Sequence, residues 1–97
     1  KNCIFIVTDS DSAYNGSIAN TLSNKYHVPV MVISKMNDSI YKGSCRSLND
    51  INILSFIESQ NNILITSGGH PMAAGFTIYK DNINKMEDSF HKDPLQL

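Results

Sequence analysis

The sequence contains few of the residues that mark specialised protein classes. Its 97 residues include no Trp, three Pro, five Gly and two Cys. The two cysteines are far apart and form no C-x-x-C pair, unlike the dense bridges of small secreted domains. The longest apolar runs, Ile4–Val7 and Val28–Ile33, are much shorter than the roughly 18 residues that a membrane span needs. The composition therefore favours a reduced, cytoplasmic protein with no membrane partner.

Net charge is also nearly absent. Eight Lys and Arg residues against nine Asp and Glu residues leave a formal charge of −1. No bulk positive field attracts nucleic acid, so any site for a polyanion must be local. A hydrophobic core is present, because 12 Ile, 6 Leu, 4 Val and 4 Phe make up 26 of the 97 residues. This share exceeds the roughly 20% below which a chain is disordered, and the length suits one compact domain.

The order of the elements predicts an α/β fold. Short, continuous, β-branched runs are typical of buried strands, and apolar residues at helical spacing indicate an amphipathic helix. The first half therefore predicts strands at Ile4–Val7 and Val28–Ile33, a helix at about Asn15–Tyr26, and a hairpin partner at Ser39–Cys45 after an Asn37-Asp38 turn. The expected architecture is a single small domain in which a mixed β-sheet is flanked by helices.

The second half predicts two more helices. One runs through Ile51, Ile53, Leu54 and Ile57, with Ser47 and Asp50 at capping-box spacing, and the other runs from Asp81 to a stop at Pro94. Phe76–Tyr79 is predicted as a strand. The segment 63–66 fits either a strand or the tail of the preceding helix, because four residues are too few to show a helical or a strand periodicity.

The hairpin strand carries the first candidate site. Side chains alternate between the two faces of a strand, so Lys42, Ser44 and Arg46 share one face, opposite Tyr41, Gly43 and Cys45. Two cations and a hydroxyl on one face are suited to holding an anion, and the planar fork of Arg46 matches two phosphate oxygens. Gly43 would allow close approach of a backbone or a ligand. The alternative is an ordinary solvated strand face.

The second candidate site is the segment Ser67-Gly68-Gly69-His70-Pro71. Both glycines can adopt positive φ, and Pro71 suits the first position of a short helix with His70 at its start. Such a corner would form a nest of backbone N–H groups for phosphate. The alternative is a Gly-Gly turn with an incidental, exposed His.

Three other patterns have weaker support. Asp9-Ser10-Asp11 after an apolar strand is similar to the aspartyl nucleophile of haloacid-dehalogenase-type phosphatases, but the rest of that machinery is absent. A nucleophilic Cys45 with His70 as its base rests on residue type alone. A zinc site would have to draw on residues without the usual ligand spacing, namely Cys3, Cys45, His27, His70 and His91.

The two candidate sites together resemble a known pair of motifs. Lys42-Gly43-Ser44-Cys45-Arg46-Ser47 and, about twenty residues later, the segment from Gly68 to Ile78 resemble the DHH-associated domain of RecJ-type single-stranded-DNA-specific exonucleases. The resemblance covers residues 1–80, and residues 81–97 are expected to form a C-terminal helix and the start of a linker.

The resemblance implies a division of labour. In that family a separate N-terminal domain carries the Asp-His-His motif and binds divalent metal, Mn or Mg, for phosphodiester hydrolysis. This chain has no Asp-His-His. It is therefore expected to be the substrate-binding half of a 5′ to 3′ exonuclease of DNA recombination and repair, with no cofactor of its own and no activity alone. Its expected partners are single-stranded DNA and its own N-terminal catalytic domain.

The resemblance also implies site residues. Lys42, Ser44, Arg46 and Ser47, together with Gly68 and Gly69, would bind phosphate, and His70 would face the scissile phosphate as the catalytic residue. The family tends to show a Trp-His or similar aromatic-polar pair just before the glycine of the first helix, whereas Ala13, Tyr14 and Asn15 precede Gly16 here.

Two other functions stay open on the sequence. Ser67 interrupts the longer glycine run of the oligonucleotide and phosphoadenosine-phosphate hydrolases, which favours the exonuclease branch. A non-catalytic nucleic-acid-binding module, similar to the end of alanyl-tRNA synthetases, is the third possibility.

Overall fold

The structure, a computed structural model, describes residues 3–48 and 50–92. Short 3-10 turns precede the first helix, the fourth strand and the last helix. The elements in chain order are β1 (Ile4–Thr8), α1 (Asn15–Tyr26), β2 (Val30–Lys35), β3 (Ile40–Arg46), α2 (Ile53–Ser59), β4 (Leu64–His70), β5 (Ala73–Tyr79) and α3 (Ile83–Lys92). The predicted α/β fold with a mixed sheet is confirmed.

The described residues form one sheet with the strand order β1-β2-β3-β5-β4. β1 and β2 are parallel, and α1 forms the crossover that parallel neighbours need; the other neighbouring pairs are antiparallel. β3 pairs with β5 rather than with β4, the next strand along the chain. This pairing brings the two motifs of the sequence side by side.

The sheet separates two hydrophobic cores. Ala19 of α1 packs with Val30 and Val32 on one face, whereas Met31 and Ile33 belong to the core under α2 and α3. β2 is therefore buried on both faces, which explains its uninterrupted apolar run. In the second core the ring of Phe90 lies 5.6 Å from that of Phe56 and 6.3 Å from that of Phe5. None of the helices in the described ranges is long and apolar enough to cross a membrane.

The start of α2 differs from the prediction. The helix begins at Ile53, and the Asn52 side chain caps it by accepting a hydrogen bond of 3.0 Å from the Ser55 N–H. The capping box of Ser47 and Asp50 is therefore wrong. Before the helix, the Ile51 N–H donates a hydrogen bond of 3.0 Å to the Leu48 carbonyl, and Ile51 already packs against the core.

The glycine-rich segment is also different from the prediction. β4 continues through His70, and Pro71-Met72 form the turn to β5, so the predicted short helix at Pro71 is wrong. Of the two glycines in this segment, Gly69 has a positive φ, at 140°, and Gly68 does not. The segment 63–66 enters a strand rather than extending α2. Asp81 lies in a 3-10 turn before α3, and Pro94 lies outside the described residues.

Candidate nucleic-acid interface

One half of the sheet has a face that no helix of the described chain covers. α1 packs against β2 and β3, whereas α2 packs against β4 and β5 from the opposite side. The register extends the uncovered face of β4 and β5 in three rows of residues as far as β3, where α1 borders it. We call this surface the open face, and its rows are Thr66–Thr77–Lys42, Gly68–Gly75–Ser44 and His70–Ala73–Arg46.

The middle row of the open face exposes backbone. Two of its three residues are glycines, and a Cβ added at Gly68 would meet no atom within 4 Å. A Cβ added at Gly75 would be in ordinary contact, 3.4 Å from the Gly43 carbonyl oxygen. A shallow cavity of about 250 Å³ lies over this row and reaches Lys42 and Thr66. A ligand can therefore come closer to the backbone here than side chains would normally allow.

The outer rows carry the cations. Lys42 is exposed and Arg46 is half-buried, and neither forms an ion pair within the described residues. Four residues of strand separate their Cα atoms by about 13 Å. The open face thus presents two positive charges that the described chain does not neutralise, in a protein whose net charge is negative.

Arg46 lies against the first turn of α1. Its Nη1 donates a hydrogen bond of 3.1 Å to the Cys45 carbonyl, and its Nη2 would be 2.9 Å from a Cβ on Gly16. A guanidinium group only donates hydrogen bonds, and the N-terminus of a helix is the positive end of its dipole. The two groups together favour an anion at this corner of the open face.

Asn15 joins α1 to this surface. Its side chain is fully buried, and Nδ2 donates to the Ser34 Oγ at 2.9 Å and to the Lys42 carbonyl at 3.0 Å. Its Oδ1 has no hydrogen-bond partner within the described residues. Sequence reasoning missed this role, because a lone Asn in the first turn of a helix is usually a surface residue.

Ser47 lies behind the open face. It is 5% exposed, and its hydroxyl donates to the Ile51 carbonyl at 2.7 Å and lies 3.3 Å from the Pro71 carbonyl oxygen. Its N–H donates to the Met72 carbonyl at 3.0 Å. Ser47 therefore ties the loop after β3 to the hairpin turn, and its hydroxyl proton is already engaged.

The two glycines before His70 differ in their surroundings. Gly69 needs its positive φ, and a Cβ there would stand 2.5 Å from the Ala73 carbonyl oxygen, whereas Gly68 faces open space. Gly69 thus shapes the hairpin. His70, the last residue of β4, is exposed, lies opposite Ala73 and makes no side-chain hydrogen bond within the described residues.

Two sequence hypotheses about β3 are wrong. A Cβ on Gly43 would be 2.2 Å from Cζ of Phe76, so this glycine makes room for a core ring rather than for a ligand. Cys45 is buried on the same side, where burial raises the pKa of its thiol to about 12. The thiol donates to the Ala74 carbonyl at 3.3 Å, and its face is opposite to that of His70. Cys45 and His70 therefore form no nucleophile–base pair.

The described side chains form no metal site either. Within residues 3–48 and 50–92, no three His, Cys, Asp or Glu residues are grouped so that they could hold a metal ion. Asp11, from the phosphatase-like pattern, caps the turn before α1 by accepting a hydrogen bond of 2.9 Å from the Ala13 N–H. The chemistry that the open face supports is anion binding.

Comparison with known proteins gives one consistent family. The single-stranded-DNA-specific exonuclease RecJ of Haemophilus influenzae is 31% identical over 81 residues, which are 79% of this chain and 14% of that protein. The enzyme of the same name from Bacillus subtilis is 33% identical over 69 residues, 70% of this chain and 9% of that protein. The chain thus spans a small part of the curated relatives that it matches.

Solved structures agree on the fold. RecJ from Thermus thermophilus in complex with Mg²⁺ superposes with a TM-score of 0.79 at 23% identity, covering 90% of this chain and 14% of that one. An exonuclease RecJ bound to manganese gives a TM-score of 0.77 at 23% identity, covering 90% of this chain and 22% of that one. A model of the DHHA1 domain matches residues 3–92, and the chain therefore belongs to the DHHA1 domain family.

Proposed function

We propose that the open face holds the sugar–phosphate backbone of single-stranded DNA for a RecJ-like exonuclease. The observation that carries this proposal is the row Gly68–Gly75–Ser44 between the two cations Lys42 and Arg46. Exposed backbone lets a phosphate come close, and the cations on either side match the charge of successive phosphates. The names of the relatives, single-stranded-DNA-specific exonucleases, support the same substrate class.

Each contact has its own task in this proposal. Arg46 binds two oxygens of one phosphate with its planar fork, close to the first turn of α1. Lys42 acts on a neighbouring phosphate as a compact, mobile charge. Ser44 donates its hydroxyl between them, and Gly68 and Gly69 allow the strand to lie close to β4. Ser47 holds the loop after β3 against the hairpin turn and so fixes the position of Arg46 next to it.

His70 is the proposed catalytic residue of this chain. It ends the row that contains Arg46, two strands or about 10 Å away, so a strand held by Arg46 and running across β5 reaches the imidazole. In the intact enzyme a divalent ion, Mn or Mg, held by the N-terminal catalytic domain would activate the attacking water. This chain contributes binding and orientation of the phosphate, and we propose that it is inactive alone.

The proposal places the intact protein in DNA recombination and repair, as a cytoplasmic nuclease that digests strands from the 5′ end. A hydrolase of short oligonucleotides or phosphoadenosine phosphate would use the same phosphate contacts. Chain-length dependence separates the two. A nuclease of long strands is expected to bind long oligothymidylate more tightly than a dinucleotide, whereas a hydrolase of small substrates is expected to show no such preference.

The test is a salt titration of binding. Fluorescent oligothymidylate is titrated with the wild-type chain and with the Arg46→Ala, Lys42→Ala and Lys85→Ala variants. Lys85 is the matched control, because it is an exposed cation on α3, behind the sheet. Arg46→Ala removes a charge-assisted contact of about 1.5 to 3 kcal/mol, so this variant should bind oligothymidylate roughly ten- to hundredfold more weakly than the wild-type chain.

The salt slope gives an independent readout. Each phosphate contact to a single strand contributes about 0.7 to the slope of log K against log salt, so Arg46→Ala and Lys42→Ala should each flatten it. Lys85→Ala should change neither affinity nor slope. If all three variants weakened binding equally, the open face would not be the binding surface.

Activity provides a second test. The purified chain with added Mn²⁺ should not cleave single-stranded DNA. Cleavage that disappears in His70→Ala would show that the proposed division of labour is wrong.

A further inference from the structure

A groove adjoins the Arg46 end of the open face. Its volume is about 780 Å³, and it runs between α1 and residues 47, 48, 50 and 51, which follow β3. We call it the α1 groove. One wall carries Asn20, Asn24 and His27, and the other carries Leu48, Ile51 and Met72. Arg46 and Ala73 belong to both the α1 groove and the open face, so the two surfaces are continuous.

The helix wall of the α1 groove is polar but carries no fixed charge. Asn20 and Asn24 are one helical turn apart and therefore lie on the same side of α1. Both are exposed, as is His27, and the three side chains make no hydrogen bonds within the described residues. Two carboxamides and an imidazole thus offer donors and acceptors that nothing in the described chain uses.

The opposite wall is apolar. Leu48 and Ile51 are half-buried, and Met72, at the hairpin turn, is 44% exposed. A methionine side chain is flexible and polarisable, so it packs well against flat ring systems. A ligand in the α1 groove would meet hydrogen-bonding groups along one side and apolar surface along the other.

The charge of the α1 groove argues against a second phosphate site. Arg46 at its mouth and Asp50 on the apolar wall are the charged residues of its lining, and their formal charges cancel. A second phosphate in the groove would meet the Asp50 carboxylate with no further cation in the lining to hold it. The lining therefore selects an uncharged, flat ligand with polar edges and apolar faces, which describes a nucleobase.

We infer that the α1 groove receives the base of the nucleotide whose phosphate lies on Arg46. This inference rests on the proposed function. Asn20 and Asn24 hydrogen-bond to the edge of the base, as carboxamides do in base recognition, and Met72 packs against its face. The volume lies within the usual range of small-ligand pockets. The domain then binds a base in the α1 groove in addition to the phosphates on the open face.

The test compares two ligands of equal charge by NMR titration of this chain. One is a 5′-phosphorylated thymidine dinucleotide, and the other carries a tetrahydrofuran abasic residue in place of the first nucleoside. The wild-type chain should bind the ligand with both bases about tenfold more tightly. The Asn20→Leu/Asn24→Leu variant should lose this preference and bind the abasic ligand as the wild type does.

Asn84→Leu is the matched control, because Asn84 is an exposed asparagine on α3, a helix that contributes no residue to the groove lining. It should keep the full preference. Equal binding of both ligands by the wild type, still weakened by Arg46→Ala, would overturn the base site and leave the proposed function intact. No binding of either ligand would overturn both. A double variant that folds but loses affinity for both ligands alike would also overturn the base site.

Discussion

The guanidinium group of Arg46 occupies the space that a side chain at Gly16 would need. A Cβ on Gly16 would lie 2.9 Å from Nη2, the far end of a flexible side chain. Position 16 thus sets where Arg46 rests, although the two residues are thirty positions apart in the sequence and belong to different elements.

Gly16→Ala should therefore weaken DNA binding without harming the fold. Alanine favours a helix over glycine by up to about 1 kcal/mol, and the guanidinium can move aside. We expect an unchanged or higher melting temperature together with a lower affinity for oligothymidylate. In the Arg46→Ala background the same change should have no further effect on affinity. An additive loss in the double variant would contradict this coupling.

Gly68→Ala should lower DNA affinity, whereas Gly69→Ala should lower stability. At Gly68 a methyl group meets no protein atom, so the fold should tolerate it while the open face becomes less accessible and DNA affinity falls. At Gly69 the positive φ and the Ala73 carbonyl oxygen at 2.5 Å strain any side chain, so the free energy of unfolding should fall. Chemical denaturation and DNA titration of both variants check this. Unchanged affinity in Gly68→Ala would mean that no ligand closely approaches β4.

Gly43→Ala should destabilise the core. The new methyl group would overlap the Phe76 ring, and overpacking of this kind costs about 1 to 3 kcal/mol. Phe76→Leu in the same chain should recover part of that loss, because the smaller side chain leaves room for the methyl group. A double-mutant cycle by urea denaturation measures this coupling, and simple additivity would show that the two residues do not compete for space.

The buried Cys45 thiol should make stability fall at alkaline pH. Its pKa in the folded chain is about 12, above the ordinary value of 9.0, so the folded state keeps a proton that the unfolded state releases. The stabilisation is complete below about pH 9 and decreases as the pH rises toward 12, by at most about 1.4 kcal/mol per pH unit. The free energy of unfolding of Cys45→Ala should decline less steeply over this range. Parallel curves for the two proteins would contradict the assignment.

The sequence predicted well the parts of the fold that local pattern determines. α1 has the predicted bounds, because its apolar residues repeat at helical spacing and a continuous apolar strand follows. The alternation of β3 was also predicted, since Lys42, Ser44 and Arg46 do share a face. These features depend on residues close in the chain.

The features that sequence reasoning missed depend on contacts between distant residues. The glycine-rich segment looked like a helix start because Pro71 suits one, but pairing with β5 keeps His70 in a strand. Ser47 matched a capping box, yet its hydroxyl is bound to the Ile51 carbonyl. The burial of Asn15 depends on Ser34 and Lys42, which no local pattern connects to it.

The pairing of β3 with β5 also determines when the binding surface comes into existence during folding. Lys42 and Arg46 come to lie beside Gly68 and Gly75 only when β3 pairs with β5. This pairing closes a loop that includes α2 and β4, which is a slow, non-local step of folding. No fragment that stops before β5 can assemble the open face. A bound strand would therefore protect together from hydrogen exchange those amides that pair β3 with β5, because they become exposed when that pairing breaks.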